Sequence, residues 1–414
     1  CHINEHSIFE RKNYFYPDLP KGYQISQLRQ PLSTNGYVEI DVNGNTKRIG
    51  IRRIHLEDDA AKLVHAGEGE IDETISSAVD FNRGGVPLIE IVSEPDMRST
   101  EEMRAYCETV RSILEYIEVS DCDMEKGQMR IEANISVRRK DDHSIWTDRS
   151  EIKNLNSIRY AMRAVEYEIE RHKKALEEGK TLSMETRLFD VNRNTTRAMR
   201  GKEEAHDYRY FPDPDLVPME FKSDWIEKLR AELPELPDER KQRFMRDYGL
   251  PAHDARLLTE DKPMGDFFEE TIALYKGDPK FVSNWLLGDI SYYLNTENLE
   301  IDETAITPRH LADLLRLIDQ GVISGKIAKE IFPEIFETGK LPQVIVEEKG
   351  MTQISDESEI SSIVDLVLQE NPGAVKEYRE GKERALGFLV GQVMRLTKGR
   401  ANPQLVNRLL REKL

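Results

Sequence analysis

Near Phe221 the hydrophobic period of the chain changes, and no other feature of the sequence constrains its fold as strongly. Before that point apolar residues alternate with polar ones over short runs, as half-buried strands require. Beyond it they recur every three or four residues between prolines, as helices require. The expected fold class is therefore α+β: a region built on strands, then helices alone. At 414 residues the chain is long enough for two or three domains.

The sharpest local signal in the first region is a hairpin. Val38, Ile40 and Val42 alternate, Asn43-Gly44-Asn45 turns the chain, and Ile49, Ile51 and Ile54 return. The returning strand is expected to end in an acid triplet, Glu57-Asp58-Asp59, with Lys62 just beyond. A second run, Val86 to Val92, places Leu88, Glu90 and Val92 on one side of a strand. Glu90 then lies between aliphatic neighbours and must be matched by a cation or by hydrogen-bond donors. Acids on neighbouring strand ends are the usual holders of Mg²⁺, with phosphate completing the shell. The same residues also fit an acid-rich turn beside a core strand that carries one ion-paired glutamate.

From Gln128 to Arg139 the alternation sets Met129, Ile131, Ala133, Ile135 and Val137 on one face and Arg130, Glu132, Asn134 and Ser136 on the other. That polar face either meets water or lines a nucleotide or carboxylate site, with Glu125 in the turn before it. Ser99-Thr100-Glu101-Glu102 reads as a capping box opening a helix through Ile117. A second helix, capped by Asn156 or Ser157, has Ile158, Met162, Val165 and Ile169 as its apolar face and stops at Gly179. Lys153 stands just before it, where free backbone amides favour phosphate oxygens. Arg11 to Gly22 reads as a proline-broken loop with Lys12 and Lys21 beside aromatic rings, either a solvated edge or the lining of a polar passage. Glu185–Asp190 and Arg197–Arg200 are expected as edge strands. Asp207 to Asp215, which includes Tyr208 and Arg209, is expected as a rigid loop able to stack on a ligand.

Composition narrows the function classes. A net charge of −18 excludes a uniformly basic coat for nucleic acid, yet the charge is segregated. Residues 341–370 carry seven acids against Lys349, whereas residues 371–414 carry ten bases against four acids. Three cysteines without metal-ligand spacing rule out a disulfide framework and argue against structural zinc. There is no long apolar run and no secretory leader, so a cytoplasmic protein without membrane contact is expected. The first residue is Cys1, so the chain is expected to start in mid-protein.

Seven segments, taken together and in order, resemble the B-subunit family of the bacterial aspartyl/glutamyl-tRNA amidotransferases. They are Arg11 to Asp18, His55 to Lys62, Asn82 to Asp96, Glu125 to Ser136, Lys153 to Ser157, Asp207 to Asp215 and Gly387 to Leu405. The resemblance implies a cradle domain with an antiparallel sheet (1–221), a helical domain (222–345) and a small helical tail domain that contacts tRNA (346–414). It implies a subunit that activates the carboxylate of Glu-tRNA(Gln) or Asp-tRNA(Asn) with ATP and Mg²⁺. The partners it implies are a glutaminase A subunit, which supplies ammonia, and a small C subunit. Carried over by motif, Asp58 and Glu90 look like metal or gate acids, and Glu125 and Lys153 join them as catalytic residues. Arg130, Glu132, Asn134, Tyr208 and Arg209 look like nucleotide or substrate contacts. Lys12, Lys21 and Asp58 look like the lining of the ammonia passage.

This sequence departs from the family pattern in three places. A strand carrying Gly-Leu-Glu-x-His, which adds to the family's metal site, does not precede Cys1. The usual Glu-Glu-Asp-Ala-Gly-Lys reads Glu57-Asp58-Asp59-Ala60-Ala61-Lys62, and Glu132 replaces a common Asp. The expectation is that this chain by itself holds Mg²⁺ weakly and is inactive. Two other readings compete: a non-catalytic tRNA-binding scaffold, and a ligase acting on free amino acids, which has no use for a basic tail.

Overall fold

A computed structural model describes residues 1–66, 76–201, 208–351, 357–397 and 400–414. Asp207, Asp356 and Lys398 lie outside the described residues. The chain forms two compact units, Cys1–Pro234 and Glu235–Leu414. The division falls beyond the expected boundary at 221 because the Ser223–Glu232 helix belongs with the first unit.

The hairpin forms as the sequence requires. Asn43 and Gly44 both take left-handed conformations, with φ of 55° and 79°, and join Ser33–Val42 to Asn45–Asp58. Positive φ at both central residues gives a turn whose twist matches that of the strands. The second of these strands runs for 14 residues and ends in the acid triplet as expected, with Glu57 and Asp58 as its last two residues. It pairs antiparallel with Ser33–Val42 on one side and Pro87–Ser93 on the other. Two-residue His2–Ile3 completes this sheet at the edge beside Ser33–Val42.

A smaller antiparallel sheet comprises Phe211–Pro212, Glu10–Asn13 and Tyr23–Ser26. Arg11 to Asn13 thus belong to a strand, and only the segment after them is the proline-broken loop expected for the whole run. The second four-stranded sheet is ordered Ile131–Ile135, Ser150–Leu155, Glu185–Asp190 and Thr195–Gly201. It corrects two expectations. Its central pair, Ser150–Lys153 against Glu185–Leu188, is parallel, because the Ile158–Glu177 helix crosses over between the two strands. Glu185–Asp190 is consequently an interior strand, not an edge.

That crossover helix also buries a wider face than its aliphatic residues indicate. Ala161, Ala164 and Val165 pack over Ile152, Leu155 and Phe189, but Glu168 and His172 are also fully buried. Glu168 receives Arg187 Nε at 2.9 Å, Arg171 Nη2 at 2.8 Å and the Thr196 hydroxyl. His172 is held by Thr147 Oγ1 at 2.6 Å and Ser150 Oγ at 2.9 Å. Both arginines also reach Glu185, so two carboxylates and two guanidinium groups neutralise each other. At the Thr100–Tyr116 helix, Ser99 caps Glu102 N as expected, but the return half of the capping box is absent. The Glu102 carboxylate instead takes Arg98 N at 2.7 Å and Lys47 Nζ at 2.6 Å.

The second unit holds two separate cores. One gathers residues from Phe244 to Val346, including Phe268, Leu286, Ile290, Leu314 and Ile331. The Pro308–Asp319 helix illustrates its logic: Thr307 and His310 cap it reciprocally, Pro308 opens it, and Leu311, Leu314 and Leu315 face inward. The other core gathers Ile360 to Leu410 from the Glu357–Glu370, Arg384–Leu396 and Pro403–Lys413 helices.

Burial raises the pKa of Glu168, but hydrogen bonds from His172, Arg171 and Thr196 outweigh it and hold the carboxyl down to about 2. A depressed folded-state pKa contributes stability that is complete above the unfolded value and fades as pH falls towards the folded one. Glu168→Ala strands two arginines and is expected to cost about 3–5 kcal/mol at neutral pH. Urea unfolding is expected to show the gap between wild type and variant narrowing as pH falls from about 4.5 towards about 2. A pH-independent gap counts against the ion-pair account.

Candidate functional site

The site is built where the Tyr23–Ser26 strand lies against the long Asn45–Asp58 strand. Side chains alternate along the latter, so His55 and Glu57 share one face while Asp58 takes the other. His55 is registered opposite Glu90 on Pro87–Ser93, which brings Glu90 onto the His55 face. His55 Nε2 lies 3.4 Å from Glu57 Oε1 and 3.6 Å from Glu90 Oε2. The donor atoms of these three residues fall within 4.8 Å of one another.

Glu57 is the buried centre of this group. Its Oε2 accepts from Gln24 Nε2 at 2.9 Å and its Oε1 from Ser26 Oγ at 2.8 Å, with Lys12 Nζ at 3.7 Å. Burial works to raise its pKa, but His55, Lys12 and Ser26 bring it below the ordinary carboxylate value. Glu57 is thus ionised throughout the neutral range. Glu90 stands at the rim, its side chain 45% exposed, where a ligand can reach it. Tyr14 and Tyr210 line the same region, and burial pushes each up to about 12, so both remain neutral hydroxyls.

The other expected site residues fall into three groups. Asp58 faces away from the cluster: it pairs with Lys21 and accepts from Ile25 N at 2.6 Å. Lys12 does join the cluster, and its ammonium lies 5.5 Å from the centre of the Tyr208 ring. Lys153, between Glu132 at 3.1 Å and Glu151 at 3.6 Å, also feels the Tyr208 hydroxyl. Tyr208 therefore connects the sheet carrying Lys153 and Glu132 with the strand carrying Lys12. Arg130 turns instead to Asp59, 3.1 Å away, which it shares with Arg83. Arg209 has φ of 44° and its carbonyl accepts from Asn13 Nδ2. Glu125 and Asn134 are exposed, and neither side chain contacts the His55 cluster among the described residues.

Residues 1–227 match the model of the GatB/GatE catalytic domain and residues 266–414 that of the GatB domain. Curated relatives share the whole chain. A protein of Caldanaerobacter subterraneus subsp. tengcongensis, named as the B subunit of an aspartyl/glutamyl-tRNA(Asn/Gln) amidotransferase, is 56% identical over all 414 residues, which span 86% of its length. Proteins of the same name from Thermotoga maritima and Persephonella marina are 53% and 51% identical over the same residues, covering 85% and 86% of their lengths.

The chain belongs to the GatB family.

Within this GatB chain the three-donor cluster suits a divalent cation. Two carboxylates and one imidazole supply three ligands on one side and leave the exposed side for water or phosphate. His55 Nδ1 is buried without a partner among the described residues, and the ring faces the acids through Nε2. Sequence reasoning placed Glu57 at a strand end in an acid triplet, singled out Asp58 from that triplet and left His55 without a role. Extending the alternation of Ile49 and Ile51 by three more pairs of residues would have put both on one inward face.

Both acids reach the Tyr23–Ser26 strand, but Glu57 is buried among His55, Gln24, Ser26 and Lys12 whereas Asp58 is less buried and bonds a backbone amide, which separates their stability effects. Glu57→Ala is expected to cost about 3–5 kcal/mol, since it strands Lys12 and His55 beside unpaired Gln24 and Ser26. Asp58→Asn keeps an acceptor for Ile25 N and loses one partly exposed ion pair, a loss of about 1 kcal/mol or less. Urea denaturation of both variants checks the order; equal losses overturn it.

Proposed function

We propose that this chain is the carboxylate-activating subunit of a glutamine-dependent tRNA amidotransferase. Its substrates are Glu-tRNA(Gln), Asp-tRNA(Asn) or both, with ATP and Mg²⁺, and a partner glutaminase subunit with a small third subunit delivers ammonia. The observation that carries this reading is the convergence of His55, Glu57 and Glu90 beside Lys12, in a chain whose relatives bear the amidotransferase name over its full length.

The chemistry explains why such a cluster is needed. A carboxylate resists attack by ammonia because it is negatively charged and its oxygen leaves poorly. Phosphorylation turns that oxygen into a leaving group, and Mg²⁺ disperses charge on the phosphate. His55, Glu57 and Glu90 would hold the ion, Glu90 from the open rim. Lys12 balances the charge of Glu57 and, with Lys21 and Asp58, borders the route for ammonia. Lys153, Glu132 and Tyr208 form an adjoining wall for the nucleotide or the aminoacyl end, and Arg130, Asn134, Glu125 and Arg209 lie on the same unit as outer contacts.

The tail core carries the expected tRNA contact. Arg384, Phe388, Gly391 and Arg395 recur at helical spacing along one exposed face. Arg384 and Arg395 form no ion pair among the described residues, whereas Arg408 and Lys413 are paired with Glu357 and Asp365. Exposed arginines around an aromatic ring suit an RNA backbone.

The deciding experiment uses the full-length protein assembled with its partners. Glu90→Gln is expected to lower ATP-dependent phosphorylation of Glu-tRNA(Gln) at least about 100-fold, and Mn²⁺, followed by electron paramagnetic resonance, is expected to bind wild type but not this variant. Retained phosphorylation would leave the chain a tRNA-binding scaffold. Replacing Arg384 and Arg395 together by Glu is expected to weaken tRNA binding and to make its dependence on log salt shallower by about two. Unchanged affinity removes the tail assignment.

A further inference from the structure

The long strand that supplies His55 and Glu57 carries a third polar residue on the same face, Arg53. Its backbone pairs with Thr34 on one side and Val92 on the other, so it sits in the middle of the sheet. Its Nε is buried and has no hydrogen-bond partner among the described residues. Two residues along an extended strand span about 7 Å, so Arg53 stands next to the cluster and outside it. Tyr210 marks the neighbourhood: besides burial, Glu57, Arg53 and Glu90 all act electrostatically on its hydroxyl.

A buried guanidinium N–H without an acceptor is rare and costly, and such a group calls for an explanation. Ion pairing within the fold does not provide one. Arg187, Arg240 and Arg243, three other buried or half-buried arginines, are each satisfied by carboxylates. Arg53 has Glu57 and Glu90 in its vicinity, yet both direct their oxygens to His55, and Glu57 also to Gln24, Ser26 and Lys12. The acceptor that Arg53 Nε lacks among the described residues can come from outside them. An anion drawn to the place where a divalent cation would be held supplies one and matches the guanidinium charge.

We propose that Arg53 is a catalytic residue that grips the phosphoryl group while it is transferred. The inference rests on the amidotransferase reading given above. In the first step the side-chain carboxylate oxygen bonds to the γ-phosphorus as the bond to the β-bridging oxygen breaks, and ADP leaves with the electron pair. In the second step ammonia bonds to the acyl carbon, the carbon–oxygen bond to phosphate breaks, and phosphate departs with the proton shed by nitrogen. The same phosphoryl group is present throughout both steps. An arginine presents Nε–H and Nη–H in parallel and so matches two phosphoryl oxygens, which Lys12, as a point charge, does not.

The test uses the assembled full-length enzyme with Arg53→Gln and Arg53→Lys, beside Glu90→Gln. Circular dichroism and co-elution with the partner subunits report folding. Arg53→Gln is expected to lower kcat for ATP-dependent phosphorylation of Glu-tRNA about 10³-fold, with KM for Glu-tRNA within about threefold of wild type. Arg53→Lys is expected to recover about tenfold of that loss, since it restores charge without the fork. Should Arg53→Gln fail to fold, Arg53→Lys alone decides: a kcat within about threefold of wild type overturns the proposal. So does a variant whose KM for Glu-tRNA rises while kcat holds, because that identifies the anion as the substrate carboxylate. Full activity in Arg53→Gln with an inactive Glu90→Gln defeats only this inference. Full activity in Glu90→Gln defeats the amidotransferase reading itself.

Discussion

The first unit depends on one buried carboxylate. Glu57 lies on the long strand of the four-stranded sheet, yet its oxygens are bound by Gln24 and Ser26 of the three-stranded sheet and approached by Lys12 from the same sheet. Remove the charge and Gln24, Ser26 and Lys12 of one sheet lose their partner on the other, with only the contacts of Asp58 to Ile25 and Gln24 left beside them, while the imidazole of His55 loses the acid that orients it. A lone charge in that position would be expelled from the interior; surrounded by three donors and a cation it becomes a fixed point. Glu90, Tyr210 and Arg53 are all placed by reference to it. The site is therefore a property of how two sheets meet, more than of any single motif.

The second unit uses none of this. Its order comes from proline-opened helices whose leucines and isoleucines interlock in two cores. The contrast explains why the two halves read so differently. Aliphatic residues at helical spacing give both the element and its inward face, as at Leu311, Leu314 and Leu315. In the first unit the inward faces carry acids, amides and a histidine, and hydropathy is silent about them.

That difference accounts for what could be read from the residues. The hairpin at Asn43-Gly44 was visible because both turn residues tolerate positive φ. The helical second half and the membership of Glu90 in an acid-bearing strand were equally visible. The choice between Glu57 and Asp58 was not, since adjacent acids look alike until the strand is known to run through them. Glu168 and His172 escaped for a related reason. A charged residue in the middle of an amphipathic helix reads as solvent-facing, and only Arg187 and Thr196 arriving from two strands reveal that it points inward. The parallel strand pair was hidden too, because parallel pairing is decided by the crossover and leaves no local mark on either strand.

The Glu168 arrangement has a bearing on how such a protein changes over generations. Its carboxylates and guanidinium groups come from a helix and the strand that follows it, and each is tolerable inside only because the others are there. No member can be exchanged alone without leaving an uncompensated charge, so drift at these positions has to proceed in matched sets. The layer beside the Lys153 strand is constrained in this sense by charge balance alone.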